Sequence, residues 1–155
     1  MCAKESIAEK AERLHNEGFN CAETVLKIAT EQWGIKDAII PKIATAFGGG
    51  IGRKGSACGA LTGGVMAIGA RFGRSVGSDT ASRDRSYALG LDFAKWFEKE
   101  FGSLICYDLI QCDLTTPEGR EKQRAMRKEK CSRFITRAAQ GVLDLVQEKA
   151  QPGSG

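Results

Sequence analysis

Apolar residues recur along this chain at helical spacing, and no stretch shows the strict alternation of a half-buried strand. Ile7, Ala11 and Leu14 form one stripe, which Gly18 ends. Asn20 is a favourable N-cap for a second helix, whose buried face is expected to be Ala22, Val25, Leu26, Ala29 and Trp33, with Gly34 closing it. A short helix is expected from Pro41 to Phe47. The run Gly48-Gly-Gly-Ile-Gly-Arg-Lys-Gly55 has no periodicity and predicts a flexible loop. Ser56 then caps a helix from Ala57 to about Phe72, rich in Gly59, Ala60, Gly63, Gly64, Ala67 and Gly69. Glycine costs up to about 1 kcal/mol against alanine inside a helix, so this composition predicts a central helix that its neighbours approach closely.

A long amphipathic helix is predicted from about Thr80 to Phe101, with Tyr87, Leu91, Ala94, Phe97 and Phe101 on one face. Gly102 stops it, and Ser103 caps a short helix from Leu104 to about Gln111. Thr116-Pro117-Glu118 starts another. A last helix carries Phe134, Ala138, Gly141, Val142 and Leu145 and ends near Ala150. Residues 151–155 are expected to be a flexible tail. The fold class is all-α: one domain over residues 1–150, a compact multi-helix bundle with a glycine-rich loop before a small-residue central helix.

Composition adds little to this. Hydrophobic residues make up 42% and charged residues 27% of the 155, ordinary for a globular domain with its own core. A net charge of +4 is too mild to imply nucleic acid. Met1 to His15 is charged and amphipathic, unlike a secretory leader, and the apolar run Ala57–Ala70 is too short and glycine-rich for membrane insertion. A cytoplasmic location is therefore expected, where thiols stay reduced and spaced cysteines read as metal-binding or catalytic.

Six cysteines change the picture. Cys21 follows the cap Asn20, Cys58 lies two after Ser56, Cys106 three after Ser103, and Cys131 opens the last amphipathic helix. A helix N-terminus favours the thiolate, the form that binds metal and does redox chemistry. Cys112 falls at a helix C-terminus, where the dipole opposes a thiolate, and stands as a substitute for Cys106. Cys2 sits near the chain start. The lack of any Cys-x-x-Cys pair argues against a zinc ribbon or a bacterial ferredoxin, but not against a site assembled from separate helices.

The segments Gly18-Phe-Asn-Cys21-Ala, Phe47-Gly-Gly-Gly-Ile-Gly and Cys58-Gly-Ala-Leu-Thr-Gly63, followed by Cys106 and Cys131, resemble the redox-active C_GCAxxG_C_C family. The resemblance runs from about Glu5 to Val146. It implies that Cys21, Cys58, Cys106 and Cys131 are the family's signature cysteines. A similar domain occurs in split-Soret-type cytochromes with an iron–sulfur centre. That implies a [2Fe–2S] or [4Fe–4S] cluster on these four residues, acting in electron transfer or redox sensing. This chain has no Cys-x-x-Cys-His, so covalent haem is not expected. Glycines 48, 49, 50, 52, 59 and 63 (Gly48, Gly49, Gly50, Gly52, Gly59, Gly63) would let backbone approach the sulfurs, and Arg53 and Lys54 would add positive charge. Two other readings stay open: a metal-free thiol–disulfide protein, and a structural metal-binding or interaction module.

Several features carry less. Gly50-Ile-Gly52-Arg-Lys-Gly55 has the letters of a dinucleotide fingerprint but no preceding strand, and it is not a P-loop. His15, the single histidine, is expected on the surface. Arg120 to Arg137 carries eight Lys/Arg against two Glu, a solvated face that would suit an acidic redox partner. It lacks the interleaved aromatics of a nucleic-acid groove. The small-residue helix would also suit a homodimer contact.

Overall fold

The computed structural model describes residues 4–150, so Cys2 and the 151–155 tail lie outside the described residues. Seven helices form within them: α1 (Ile7–Asn16), α2 (Cys21–Gln32), α3 (Gly59–Phe72), α4 (Thr80–Phe101), α5 (Cys106–Ile110), α6 (Pro117–Met126) and α7 (Ser132–Ala150). A 3₁₀ segment, Lys42–Phe47, leads into the glycine loop, and a π-helical turn, Arg127–Cys131, joins α6 to α7. The fold is all-α, as its periodicity predicts. One isolated antiparallel bridge, Ala57 to Ile105, is the extended pairing found among the described residues. No helix there is long and apolar enough to cross a membrane.

The helix starts follow from capping chemistry. Ser6 and Glu9 form a capping box on α1, Asn20 and Glu23 one on α2. Asp79 caps α4 through the Ser82 N–H, and Thr116 caps α6 with Pro117 in the first turn. Gly102 ends α4 in the left-handed conformation that glycine adopts at no steric cost.

α2 lies at the centre. It is buried from Ala22 through Leu26 and again at Ile28, Ala29 and Thr30, wider than the single stripe its sequence suggests. Helices α1, α3 and α7 surround it. The α2–α3 contact is the closest: a Cβ added at Gly63 would stand 2.5 Å from the Ala22 carbonyl oxygen. α4 closes the far side with an aromatic chain in which Phe97 and Phe101 centroids lie 4.6 Å apart, and Phe101 meets Phe134 of α7 at 5.0 Å.

Several expectations need correction. On α4 the buried stripe is Leu89, Phe93 and Phe97, while Tyr87 and Leu91 are 71% and 55% exposed. Phe97 is buried as expected and Ala94 and Phe101 pack against the core, so the expected face fails only in its first half, where the larger Phe93–Trp96–Phe97 surface takes the core. Ser56 does not cap α3. Its carbonyl instead accepts from the Cys106 N–H (2.7 Å), the Cys58 N–H donates to the Leu104 carbonyl (2.8 Å), and α3 starts only at Gly59, with Cys58 as its N-cap. The same pairing keeps Ile105 extended and delays α5 to Cys106. Ser103 Oγ accepts from the Ile105 N–H rather than capping a helix at Leu104. Cys131 opens no helix: it ends the π turn inside a helical rod running from Pro117 to Ala150.

The α2–α3 contact predicts a sharp contrast between two glycines. Gly63→Ala should destabilise the fold by about 1–3 kcal/mol, because its methyl meets backbone that cannot move aside. Gly69→Ala, with nothing within 4 Å of its Cβ position, should be neutral or stabilise by up to about 1 kcal/mol. Urea unfolding of the two variants reads the difference directly.

Candidate functional site

Four segments far apart in sequence meet at one cavity of about 600 Å³. Cys21, Cys58, Cys106 and Cys131 all line it. Cys112 does not. It is buried nearby, two residues past the end of α5, and its thiol donates to the Ile110 carbonyl at 3.2 Å.

Each thiol is placed by a local device. Cys21 is the first residue of α2. The cap beneath it is fixed to the 3₁₀ segment: Thr45 Oγ1 donates to Glu23 Oε1 (2.5 Å) and Asn20 Nδ2 to the Thr45 carbonyl (2.9 Å). Glu23 is only 8% exposed, and its partners are this cap and Thr45. The Asn-x-x-Glu spacing at 20–23 is a capping-box signal, and it would have singled out Glu23. Cys58 caps α3, and the N–H groups of Ala60 and Leu61 point at its sulfur. Cys106 opens α5. A Cβ on Gly50 would stand 2.7 Å from the Cys106 Cβ and from the Ser56 nitrogen, so the loop reaches the site only as bare backbone.

That loop is closed on itself rather than slack. Gly52 N–H donates to the Ala46 carbonyl (2.8 Å) and Ser56 N–H to that of Gly50 (2.9 Å). Arg53 is held in the left-handed region at φ 69°. Gly48, Gly49 and Gly52 line the cavity with it, and so does Gly59, whereas Gly63 lies deeper, against α2.

The sulfurs differ in proton affinity. Burial pushes Cys58 up to about 11, against the pull of the Ala60 and Leu61 N–H groups. Burial, reinforced by Cys58, Cys131 and Cys112, pushes Cys106 up to about 12. Cys21 and Cys131 shift one another in opposite directions: Cys131 and burial raise Cys21, while Cys21 lowers Cys131 to about 7 against the effect of burial. Gln123 Nε2 also donates to Cys131 Sγ at 3.6 Å, and Arg127 and Lys130 add positive charge. The shifts run in opposite directions, so Cys131 is the thiol of the four that loses its proton most readily, and Cys58 and Cys106 hold theirs. Among the described residues, no three or more His, Cys, Asp or Glu side chains stand together at the spacing of a metal-holding group.

The cavity has more to it than sulfur. Arg53, Arg120, Arg124 and Arg127 line it, and no aspartate or glutamate does among the described residues. Arg120, Arg124, Arg127 and Cys131 follow one another at steps of four, three and four, so a signal for this face was present in the sequence. The stretch is a solvated face, as expected, with Arg124 exposed, and its Arg120–Arg127 side also borders the cavity. His15 also departs from expectation. Its ring nitrogens are buried without a hydrogen-bond partner, and burial with the nearby Arg127 charge holds it neutral, down to about 4. The C-terminal turn of α1 packs against the π turn here, where Arg127 Nη2 donates to the His15 carbonyl (3.4 Å).

Residues 19–145 match the family described as "Putative redox-active protein (C_GCAxxG_C_C)". The chain belongs to the C_GCAxxG_C_C family. The match spans all four cavity cysteines and the glycine loop. No curated protein and no solved structure is significantly similar to the chain.

In this C_GCAxxG_C_C protein, kept reduced and metal-free, Cys131 should alkylate with a midpoint near pH 7, and Cys58 and Cys106 only well above pH 9. Cys21→Ala removes the donor and should move the Cys131 midpoint upward. Peptide mapping after iodoacetamide across a pH series measures both. The sign for stability follows. Cys131, lowered from an ordinary value of 9.0, contributes stability fully above that pH and loses it as pH falls through about 7. Cys58, raised, contributes below 9.0 and loses it as pH rises through about 11.

Proposed function

We propose that Cys21, Cys58, Cys106 and Cys131 are the ligands of an iron–sulfur cluster, [2Fe–2S] or [4Fe–4S], and that the domain transfers electrons. The observation that supports this reading is that four thiols, from four separate segments, line one cavity with arginines and, among the described residues, no carboxylate. Four cysteine sulfurs are the donor set such clusters take, so the residues fit in kind. When bound, the cluster supplies a one-electron couple.

The chain's own residues set the conditions. Buried thiolates need neighbouring positive charge and donors. Arg53 and Arg127 offer the charge; Gln123 donates to Cys131, and the nearby Ala60 and Leu61 N–H groups favour the thiolate of Cys58. Gly48, Gly49 and Gly52 keep side chains out of the approach. A set of four protein ligands leaves no iron position for a substrate, which favours electron transfer over catalysis. Lys122, Lys128, Lys130 and Arg133, outside the cavity lining, would dock an acidic protein partner, with a rate that falls as salt rises.

A second reading is favoured by one specific pairing: Cys21 and Cys131 line the cavity together and shift each other's proton affinity in opposite directions. In it these two thiols form a disulfide, giving two electrons and two protons to an oxidised partner.

Iron and acid-labile sulfide in protein purified without oxygen decide between the two. The cluster reading expects both in equal amounts, with broad visible absorbance. It expects loss of iron in serine variants of Cys21, Cys58, Cys106 or Cys131, and retention in Cys112→Ser. Folded protein without iron or sulfide after reconstitution would overturn it. A Cys21–Cys131 cross-link found by mass mapping of that protein would establish the second reading.

A further inference from the structure

We propose that the cysteine cavity also binds a small oxyanion, held by Arg53, Arg124, Arg127 and His15 beside the sulfurs. The inference shares its cavity with the redox reading but does not require a cluster.

The charge pattern comes first. Elsewhere three arginines pair with carboxylates (Arg13 with Glu5 and Glu17, Arg83 with Asp84, Arg137 with Glu100), and Arg71 and Arg85 lie over aromatic rings. The cavity arginines Arg53, Arg124 and Arg127 do neither among the described residues. The guanidinium groups of Arg53 and Arg124 make no hydrogen bond or ion pair among the described residues, and Arg127 makes one long bond to a backbone carbonyl. Arg120 is different, since its Nη1 is engaged by the Leu114 and Thr115 carbonyls at 3.0 Å, so it is left out of the proposed set. Guanidinium forks match the paired oxygens of a carboxylate or phosphate.

His15 supplies the independent observation. Both its ring nitrogens are buried and unpartnered, and its ring lines the cavity. A buried polar group left without a partner is costly, and a neutral imidazole offers one donor and one acceptor. A ligand carrying oxygen acceptors gives the donor its partner where no protein atom does. The groups come from three places in the chain: the end of α1, the glycine loop, and the face of α6 with the π turn. Arg53 is held there at positive φ, a conformation that non-glycine residues rarely adopt.

A volume of about 600 Å³ exceeds what a free ion fills and lies in the range of small-molecule sites. The shared chemistry is an oxyanion group, from a free inorganic ion or from a small organic acid. If the arginines serve only to offset thiolate charge, no anion will bind.

Calorimetric titration of the purified protein at low salt, with inorganic phosphate and separately with succinate, tests this. Saturable binding of either is expected, tighter for phosphate if the ligand is a free ion and for succinate if it is an organic acid. The Arg53→Gln/Arg124→Gln variant, altered at two exposed positions, should weaken it by about tenfold or more. His15→Ala should also weaken it. Lys122→Gln/Lys128→Gln, outside the lining, should leave it unchanged. No saturable binding of either probe, or equal affinity in the double arginine variant, overturns the proposal. Iron is measured on the same samples, so a missing cluster and a missing anion site are told apart.

Discussion

The backbone contact between α2 and α3 is the constraint on which the site depends. Gly59 and Gly63 lie against Cys21 and Ala22 with no side chain between, so the start of α3 is pressed onto the start of α2. That contact makes Cys21 and Cys58 neighbours although 37 positions separate them. A methyl group at Gly63 would have to push α3 off α2, and the two sulfurs would part with the helices; one at Gly59 would press on Cys21 itself. Packing here therefore sets chemistry directly: the residues that lower the helix propensity of α3 are those that bring two thiols to one cavity.

Around that contact the molecule places its sulfurs where burial and donors oppose one another. Burial raises Cys58 and Cys106, while N–H groups, Gln123 and the Cys21 thiol work the other way at Cys58 and Cys131. The result is one cysteine, Cys131, that gives up its proton more readily than the three beside it. Any redox chemistry here starts from this unequal set, and the arginines lining the cavity bias it toward added negative charge.

Much of this was legible in the chain. Asn20 before Cys21, Pro117 after Thr116 and Gly102 after Phe101 are local signals, and each marks the helix end it predicts. The elements that misled were those decided by partners distant in sequence. Ser56 looks like a cap, but its carbonyl is taken by Cys106, fifty residues on. Tyr87 and Leu91 make a plausible apolar stripe, and only the presence of Gly64 and α7 opposite Phe93 and Trp96 decides which face turns inward. His15 looked like a surface residue because nothing nearby in sequence shows that α1 ends against Arg127.

The π turn at Arg127–Cys131 has a consequence for how the long C-terminal rod is divided. A wide turn holds one residue more than an α turn, which offsets helical phase by about 100°. The stripe upstream, with Arg120, Arg124 and Arg127, is thereby phased independently of the one downstream, with Ile135, Ala138 and Val142. One continuous rod thus serves two masters: its first part follows the geometry of the cavity, its second that of the core. The join acts as a clutch between them, so the length of that turn, more than the identity of its residues, keeps the charged face and the apolar face in step.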